Sequence, residues 1–203
     1  MCKFDRDYYE DGIRKGISGY ENFHYISTRS YSEASEIVKR FDFQSVIDFG
    51  AAKGFLVHAL RQLGKEAYGE DISEYALKNC IKTVQKYMSK PCDRKADFLI
   101  GKDVLEHVEK KDMYSTLNFL REKANQFLFV IPLGNKGILR IREYEVDTTH
   151  VTKEDEDWWI DSFKNCGYKI RQFDYTMGRI KEKWTSIYPF GNGFFVLEKE
   201  KKQ

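Results

Sequence analysis

Several large classes of protein are excluded by what this sequence does not contain. No window approaches the ~20 consecutive apolar residues of a membrane span. The first residues, MCKFDRDYYEDG, lack the basic-then-apolar order of a secretory signal. Neither membrane insertion nor export is expected, and a cytoplasmic location is. The four cysteines, Cys2, Cys80, Cys92 and Cys166, form no Cys-x-x-Cys pair and no metal-ligand spacing. They suit a reducing compartment, as small packing residues. Charge of one sign is also missing: a third of the residues are charged, yet the net charge is only +2. That balance provides no long-range field for nucleic acid or a membrane surface. The lysine-rich end, residues 199–203, reads as a solvated terminus. No repeat or low-complexity linker divides the 203 residues, a length that suits one compact domain.

What is present is alternation. SVIDFG reads as a strand and GFLVHALRQLG as a helix with Leu56, Ala59, Leu60 and Leu63 on one face, stopped at Gly64. KEAYGEDI is a second strand, and Ser73 is placed to cap a helix over EYALKNCIK. TVQKY is the candidate third strand, and DFLIGKD is the fourth, followed by a predicted helix from about Leu105 to Lys123. QFLFVIPLG is apolar without alternation, the mark of a strand buried on both faces. Thr152 and Asp155 resemble a capping box for EDEDWWIDSFKNCG, and YKIRQFDY and GFFVLEKE read as closing strands. The pattern predicts an α/β fold with a parallel sheet and helices on both faces. Residues 1–44 stand outside the alternation and are expected to form an N-terminal cap or lid, with residues 45–203 as the main domain.

Two features point to a ligand. In VIDFGAAKGFLVHAL, Gly50, Ala51, Ala52 and Gly54 form a turn of small residues between strand and helix, where backbone N–H groups are free. Asp48 at the strand end would repel a pyrophosphate and attract an ammonium. Asp71, 21 residues after Gly50, suits a ribose diol. A plain strand-to-helix turn without a ligand is the simpler alternative. The Gly-x-Gly-x-x-Gly of dinucleotide folds, the Tyr-x-x-x-Lys of short-chain hydride chemistry and the Walker Gly-Lys-Ser/Thr are all absent.

VIDFGAAKGFLVHAL, AYGEDISEYAL and DFLIGKDVLEHV, in this order and spacing, resemble class I S-adenosylmethionine-dependent methyltransferases. With VIPLGN, EYEVDTTHVTKEDEDWW and GNGFFVLEK, the likeness extends to a subgroup of small bacterial and phage proteins of largely unassigned acceptor. The resemblance implies a Rossmann-like doubly wound sheet of seven strands, the last antiparallel, with an N-terminal helical cap. It implies that S-adenosylmethionine is the cofactor. Asp48 would orient its amine, and Gly50, Ala51, Ala52 and Gly54 would admit it close to the backbone. Asp71 would hold the ribose, Ile72 would lie against adenine, and Lys102 and Asp103 would line the methionine side through backbone groups. Two departures stand out: the family's middle glycine is Ala52, and neither Asp93 nor Asp97 can be placed beside the adenine amine.

Methyl transfer to a hydroxyl benefits from a base. Of the four histidines, His58 lies off the apolar face of its helix and His24 lies in the aromatic N-terminal segment. His107 opens the helix after the fourth strand, and His150 sits in the loop before Thr152; these two are the catalytic candidates, His150 foremost. Asp103, Glu106 and His107, at i, i+3 and i+4, could face one another as ligands, but they read as cap and packing residues, and no metal is expected. A small-molecule acceptor is expected, a sugar or glycan-precursor hydroxyl first. No basic stripe interleaved with aromatics marks a nucleic-acid path. A nucleotide-sugar or NAD-dependent oxidoreductase and a non-catalytic cofactor-binding partner protein remain as alternatives.

Overall fold

The computed structural model describes residues 3–200, so Cys2 and the last three residues of the basic end lie outside it. The chain opens with two short helices, α1 (Arg6–Glu10) and α2 (Gly12–Lys15), and a longer one, α3 (Ser27–Arg40). The alternating region follows: β1 (Ser45–Phe49), α4 (Phe55–Gln62), β2 (Glu66–Glu70), α5 (Glu74–Lys78), β3 (Met88–Ser89), β4 (Phe98–Lys102), α6 (Lys110–Arg121) and β5 (Gln126–Pro132). A small hairpin, β6 (Gly134–Asn135) and β7 (Ile138–Leu139), leads to α7 (Glu156–Asn165), β8 (Tyr168–Asp174), α8 (Glu182–Ile187) and β9 (Asn192–Lys199).

Seven strands form one sheet in the order β3-β2-β1-β4-β5-β9-β8. The strands from β3 to β5 pair in parallel, and β9 inserts antiparallel between β5 and β8. This is the expected Rossmann-like arrangement with an antiparallel last strand. The unbroken apolar runs explain it. Successive side chains of a strand point to opposite faces, so Val46, Leu128 and Val130 join one core with α3 and α4, while Ile47, Phe127, Phe129 and Ile131 join another with α6 and α7. Strands of this kind are stable only when both faces are covered. The first 44 residues divide in two. Helix α3 packs beside α4, with Ala34 and Ile37 fully buried in the sheet's core. The segment before it forms a separate aromatic cluster, Tyr8 and Tyr9 with Phe4, Tyr20 and Phe23, against Ala76 and Tyr75 of α5.

Three local expectations are corrected. The helix predicted from Leu105 begins instead with a single tight turn, Leu105–His107, and α6 starts only at Lys110. The turn breaks there because Val108 is extended. The third strand shrinks to Met88–Ser89, since TVQKY winds into a 3₁₀ helix. Asp155, not Thr152, caps α7: its carboxylate accepts from Trp158 N at 3.0 Å, while Thr152 Oγ1 donates to Val108 O at 2.7 Å. Asp155→Ala is therefore expected to lower the unfolding free energy by about 1 kcal/mol, read from urea denaturation midpoints at constant slope. An unchanged midpoint would contradict the capping role.

Candidate functional site

The site lies at the C-terminal ends of β1, β2 and β4, where an open α/β sheet leaves a crevice. Gly50 and Gly54 have φ +79 and +74, and a Cβ on Gly50 would stand 2.5 Å from Val104 Cγ2. Ala52, in the place of a family glycine, takes φ +46, which is tolerated by a small side chain at a cost of about 1 kcal/mol. Asp71 holds this turn: Oδ2 accepts from Ala52 N at 2.7 Å and Oδ1 from Ser73 N at 2.8 Å. Ser73 in turn caps α5 by accepting from Ala76 N, as expected. Burial raises the Asp71 carboxyl, against the lowering effect of those two N–H groups. Asp48 is buried at the end of β1. Burial lifts its carboxyl to about 7; the Lys102 charge opposes this and the Asp71 and Glu33 carboxylates add to it. Ile72 leaves an apolar surface open to solvent, 56% exposed.

Lys53, the cation of the turn, does not serve it. Its ammonium donates to Glu10 Oε1 at 2.5 Å and Phe23 O at 2.7 Å and lies against the rings of Tyr9, Phe23 and Tyr75. The ammonium thereby ties the N-terminal segment to the turn and leaves the buried acids Asp48 and Asp71 at the strand ends beside it. Two acids beside a turn whose own lysine is paired with Glu10 fit a ligand bearing hydroxyls and an ammonium, and fit a pyrophosphate poorly.

Beyond β4 lies a charged cluster. Lys102 Nζ is 3.2 Å from Asp103 Oδ2 and 3.8 Å from Glu33. Burial would lower the Lys102 ammonium, but Glu33 and Asp103 hold it well above its usual value. Asp103 also pairs with Lys181, whose ammonium donates to Asn192 Oδ1 at 2.6 Å and lies over the Tyr144 ring. Burial would raise the Asp103 carboxyl; Lys181 and Lys102 together hold it below the usual range. Lys102 and Asp103 thus enter the cluster through their side chains, while Asp103 N donates to Val130 O in the sheet. Glu33, Tyr144, Lys181 and Asn192 were not signalled by any motif. They reach this place from elements far apart in the chain, and only the positive φ of Lys181 (+54) marks it as unusual.

The structure brings His107 and His150 together, with ring centroids 4.7 Å apart. His150 Nδ1 lies 2.8 Å from Tyr144 O, and a carbonyl can only accept, so Nδ1 carries the proton. His107 Nδ1 lies 2.8 Å from Thr149 Oγ1, which donates its one proton to Asp147 Oδ1 at 2.5 Å. Thr149 must therefore accept from His107 Nδ1–H, and Nε2 is the lone-pair nitrogen of both rings. Burial and the neighbouring His150 lower His107 to about 4. Asp147 also accepts from Tyr8 OH at 2.8 Å, so the N-terminal segment braces this network. His24 and His58 are elsewhere: His24 is exposed and bonds Asn22 O, and His58 pairs with Thr83. Asp97 accepts from Gln44 N and Ser45 N at the opposite end of the sheet, so it has no place beside the crevice.

No protein-family model and no curated protein matches the chain. Solved structures do. The putative methyltransferase from Haloferax volcanii, in complex with the Trm112 methyltransferase activator, is 16% identical with a TM-score of 0.64, over 87% of this chain and 92% of that one. The magnesium protoporphyrin IX methyltransferase of Synechocystis with bound S-adenosylhomocysteine is 17% identical with a TM-score of 0.63, over 94% of this chain and 86% of that one. A SAM-dependent methyltransferase from Archaeoglobus fulgidus is 15% identical with a TM-score of 0.63, over 86% and 95%. At these identities the likeness is one of fold: the chain has the architecture of S-adenosylmethionine-dependent methyltransferases.

Proposed function

We propose that the protein is a methyltransferase that takes S-adenosylmethionine as cofactor and a small molecule as acceptor, a sugar or glycan-precursor hydroxyl being the first candidate. The observation that carries this reading is the pair of acids at neighbouring strand ends, Asp48 and Asp71, flanking a turn whose lysine is neutralised by Glu10. Asp71 would hold the ribose hydroxyls, Asp48 the amino-acid ammonium, the Gly50–Gly54 turn the backbone approach and the exposed Ile72 the adenine face. The cofactor supplies an electrophilic methyl group. The chain's own part is to orient the acceptor and take up its proton near His107 and His150, whose rings lie together. His107, lowered to about 4 by burial and by His150, is neutral at pH 7 but a weak base, which leaves His150 as the foremost group for that task. Residues before α3 would act as a cap, since Tyr8, Glu10 and Phe23 bond directly to the histidine network and to the turn. A soluble cytoplasmic setting and no nucleic-acid partner complete the reading; among the described residues no helix is long and apolar enough to cross a membrane.

Calorimetry with S-adenosylhomocysteine and with NAD separates this reading from the oxidoreductase alternative. Binding of the first and not the second is expected. Asp71→Asn keeps an acceptor for one turn N–H but loses the charge, and affinity is expected to fall by about 100-fold, the cost of removing a charge-assisted hydrogen bond in a buried site. NAD binding alone, or unchanged affinity in Asp71→Asn, would overturn the proposal.

A further inference from the structure

We infer that Glu106, His107 and His150 form a binding site for a divalent first-row transition ion. One ligand atom from each, all three within 4.8 Å of one another, makes a set of two imidazoles and one carboxylate. Such a set holds zinc, iron, manganese or cobalt on one face of the ion and leaves positions open on the other.

Three observations support the assignment. The first is Glu106 itself. Its side chain is fully buried, and neither carboxylate oxygen has a hydrogen-bond partner. A buried carboxyl without hydrogen-bond partners is costly, and His150 Nε2 stands 3.9 Å from Oε1. An ion between these groups would satisfy both oxygens and nitrogen. The second is the ring geometry. Imidazoles ligating through Nε2 at ~2.1 Å hold their centroids about 3.2 Å from the ion. The observed centroid separation of 4.7 Å then corresponds to roughly a right angle at the ion. The third is the outer layer. Histidine ligands donate their second nitrogen to a carbonyl or carboxylate, which fixes the ring and its tautomer. His150 Nδ1 donates to Tyr144 O, and His107 Nδ1 reaches Asp147 through Thr149. Asp147 Oδ2, 3.9 Å from His150 Nε2, and the nearby Asp103 add negative field, offset in part by Lys181. Bound donors stand about 3 Å apart, so the ion would draw the three side chains inward by an ångström or so.

Two of these ligands are the residues taken above as candidates for proton uptake, so the inference departs from the metal-free expectation. It rests on the proposed function only for what fills the open positions. There an acceptor hydroxyl would bind the ion and lose its proton to bulk water more readily than in solution. Ion binding stands without that step.

The test titrates tag-free protein, dialysed against chelator, with Co²⁺. Visible d–d bands saturating at one equivalent are expected, with displacement by Zn²⁺. His150→Ala and the isosteric Glu106→Gln are each expected to weaken Co²⁺ binding by at least about 100-fold, following the loss of one ligand, while His24→Ala, an exposed residue, leaves it unchanged. A colourless titration of the unaltered protein overturns the inference without recourse to any variant. So does equal Co²⁺ affinity in His150→Ala or Glu106→Gln, which would mark the ion as adventitious. Calorimetry with S-adenosylhomocysteine on the same samples keeps the two readings apart: cofactor binding without Co²⁺ uptake defeats this inference alone, and Co²⁺ uptake without cofactor binding defeats the proposed function alone.

Discussion

Asp48→Asn is expected to raise the melting temperature of the ligand-free protein at pH 8 by about 5 °C and to remove most of its affinity for S-adenosylhomocysteine. The two effects have one cause. Burial, with Asp71 and Glu33 nearby, lifts the Asp48 carboxyl to about 7 in the folded chain, whereas unfolded it titrates near ~3.9. A carboxyl raised on folding binds its proton more tightly in the native state, so the stability linked to it is full below about pH 4 and is lost as pH rises to about 7. Asparagine carries no such penalty, and the gain should be seen at pH 8 and vanish at pH 4. Binding runs the opposite way. An ammonium needs the carboxylate, so the affinity of the unaltered protein should fall as pH drops below about 7, by up to about tenfold per unit, and the variant should show no such slope. Thermal melts at both pH values and calorimetry across pH 6–8 read both effects. A variant that melts lower at pH 8, or binds equally well, would remove Asp48 from the site and the strain from its burial.

The second large effect concerns Lys181. Its ammonium is nearly inaccessible, with 3% of the side chain exposed, and it pairs with Asp103 and Asn192. Lys181→Met keeps the stem but leaves both acceptors facing an apolar group. Removing one partner of a buried pair costs 3–5 kcal/mol in general. Asp103 retains Lys102, so the expected loss is near the lower end, about 3 kcal/mol. The sign with pH also follows. The two lysines hold the Asp103 carboxyl below its usual range. The stability from that pairing is present above the unfolded value and lost as pH falls through the folded one, so the gap between variant and parent should narrow in acid. Adding Asp103→Asn to Lys181→Met should recover part of the loss, a coupling that urea denaturation in a double-mutant cycle measures. A loss under about 1 kcal/mol would mean the pair adds no more than a surface bridge.

The sheet was legible because its strands carry the signal themselves. FLFVIP and FLIG are apolar at every position, and only a strand covered on both faces tolerates that. The glycine turn and Asp71 were legible because positive φ and an acid at a strand end leave few alternatives. Tertiary context decided the rest. TVQKY has strand-like residues, yet the chain winds there into a 3₁₀ helix and leaves a strand of two residues. Thr152 has the right side chain for a cap, but the backbone carbonyl of Val108 takes its hydroxyl. Lys181 and Glu33 lie 148 residues apart and meet only because α3 and the segment before α8 converge beside Asp103. No local pattern can record such a meeting. His107 and His150 were found as residue types near strand ends; the orphaned carboxylate of Glu106 close to His150 became visible only in three dimensions.

The pairing of Glu10 with Lys53 has a consequence for ligand selectivity. The glycine turn is hospitable to a zwitterionic nucleoside only while its own lysine is neutralised from outside the sheet. Were Glu10 withdrawn, the same loop would present a bare ammonium at a helix start, an environment that favours phosphorylated compounds. The electrostatic preference of the turn proposed to bind the cofactor would thus be set by a glutamate some forty residues upstream of it.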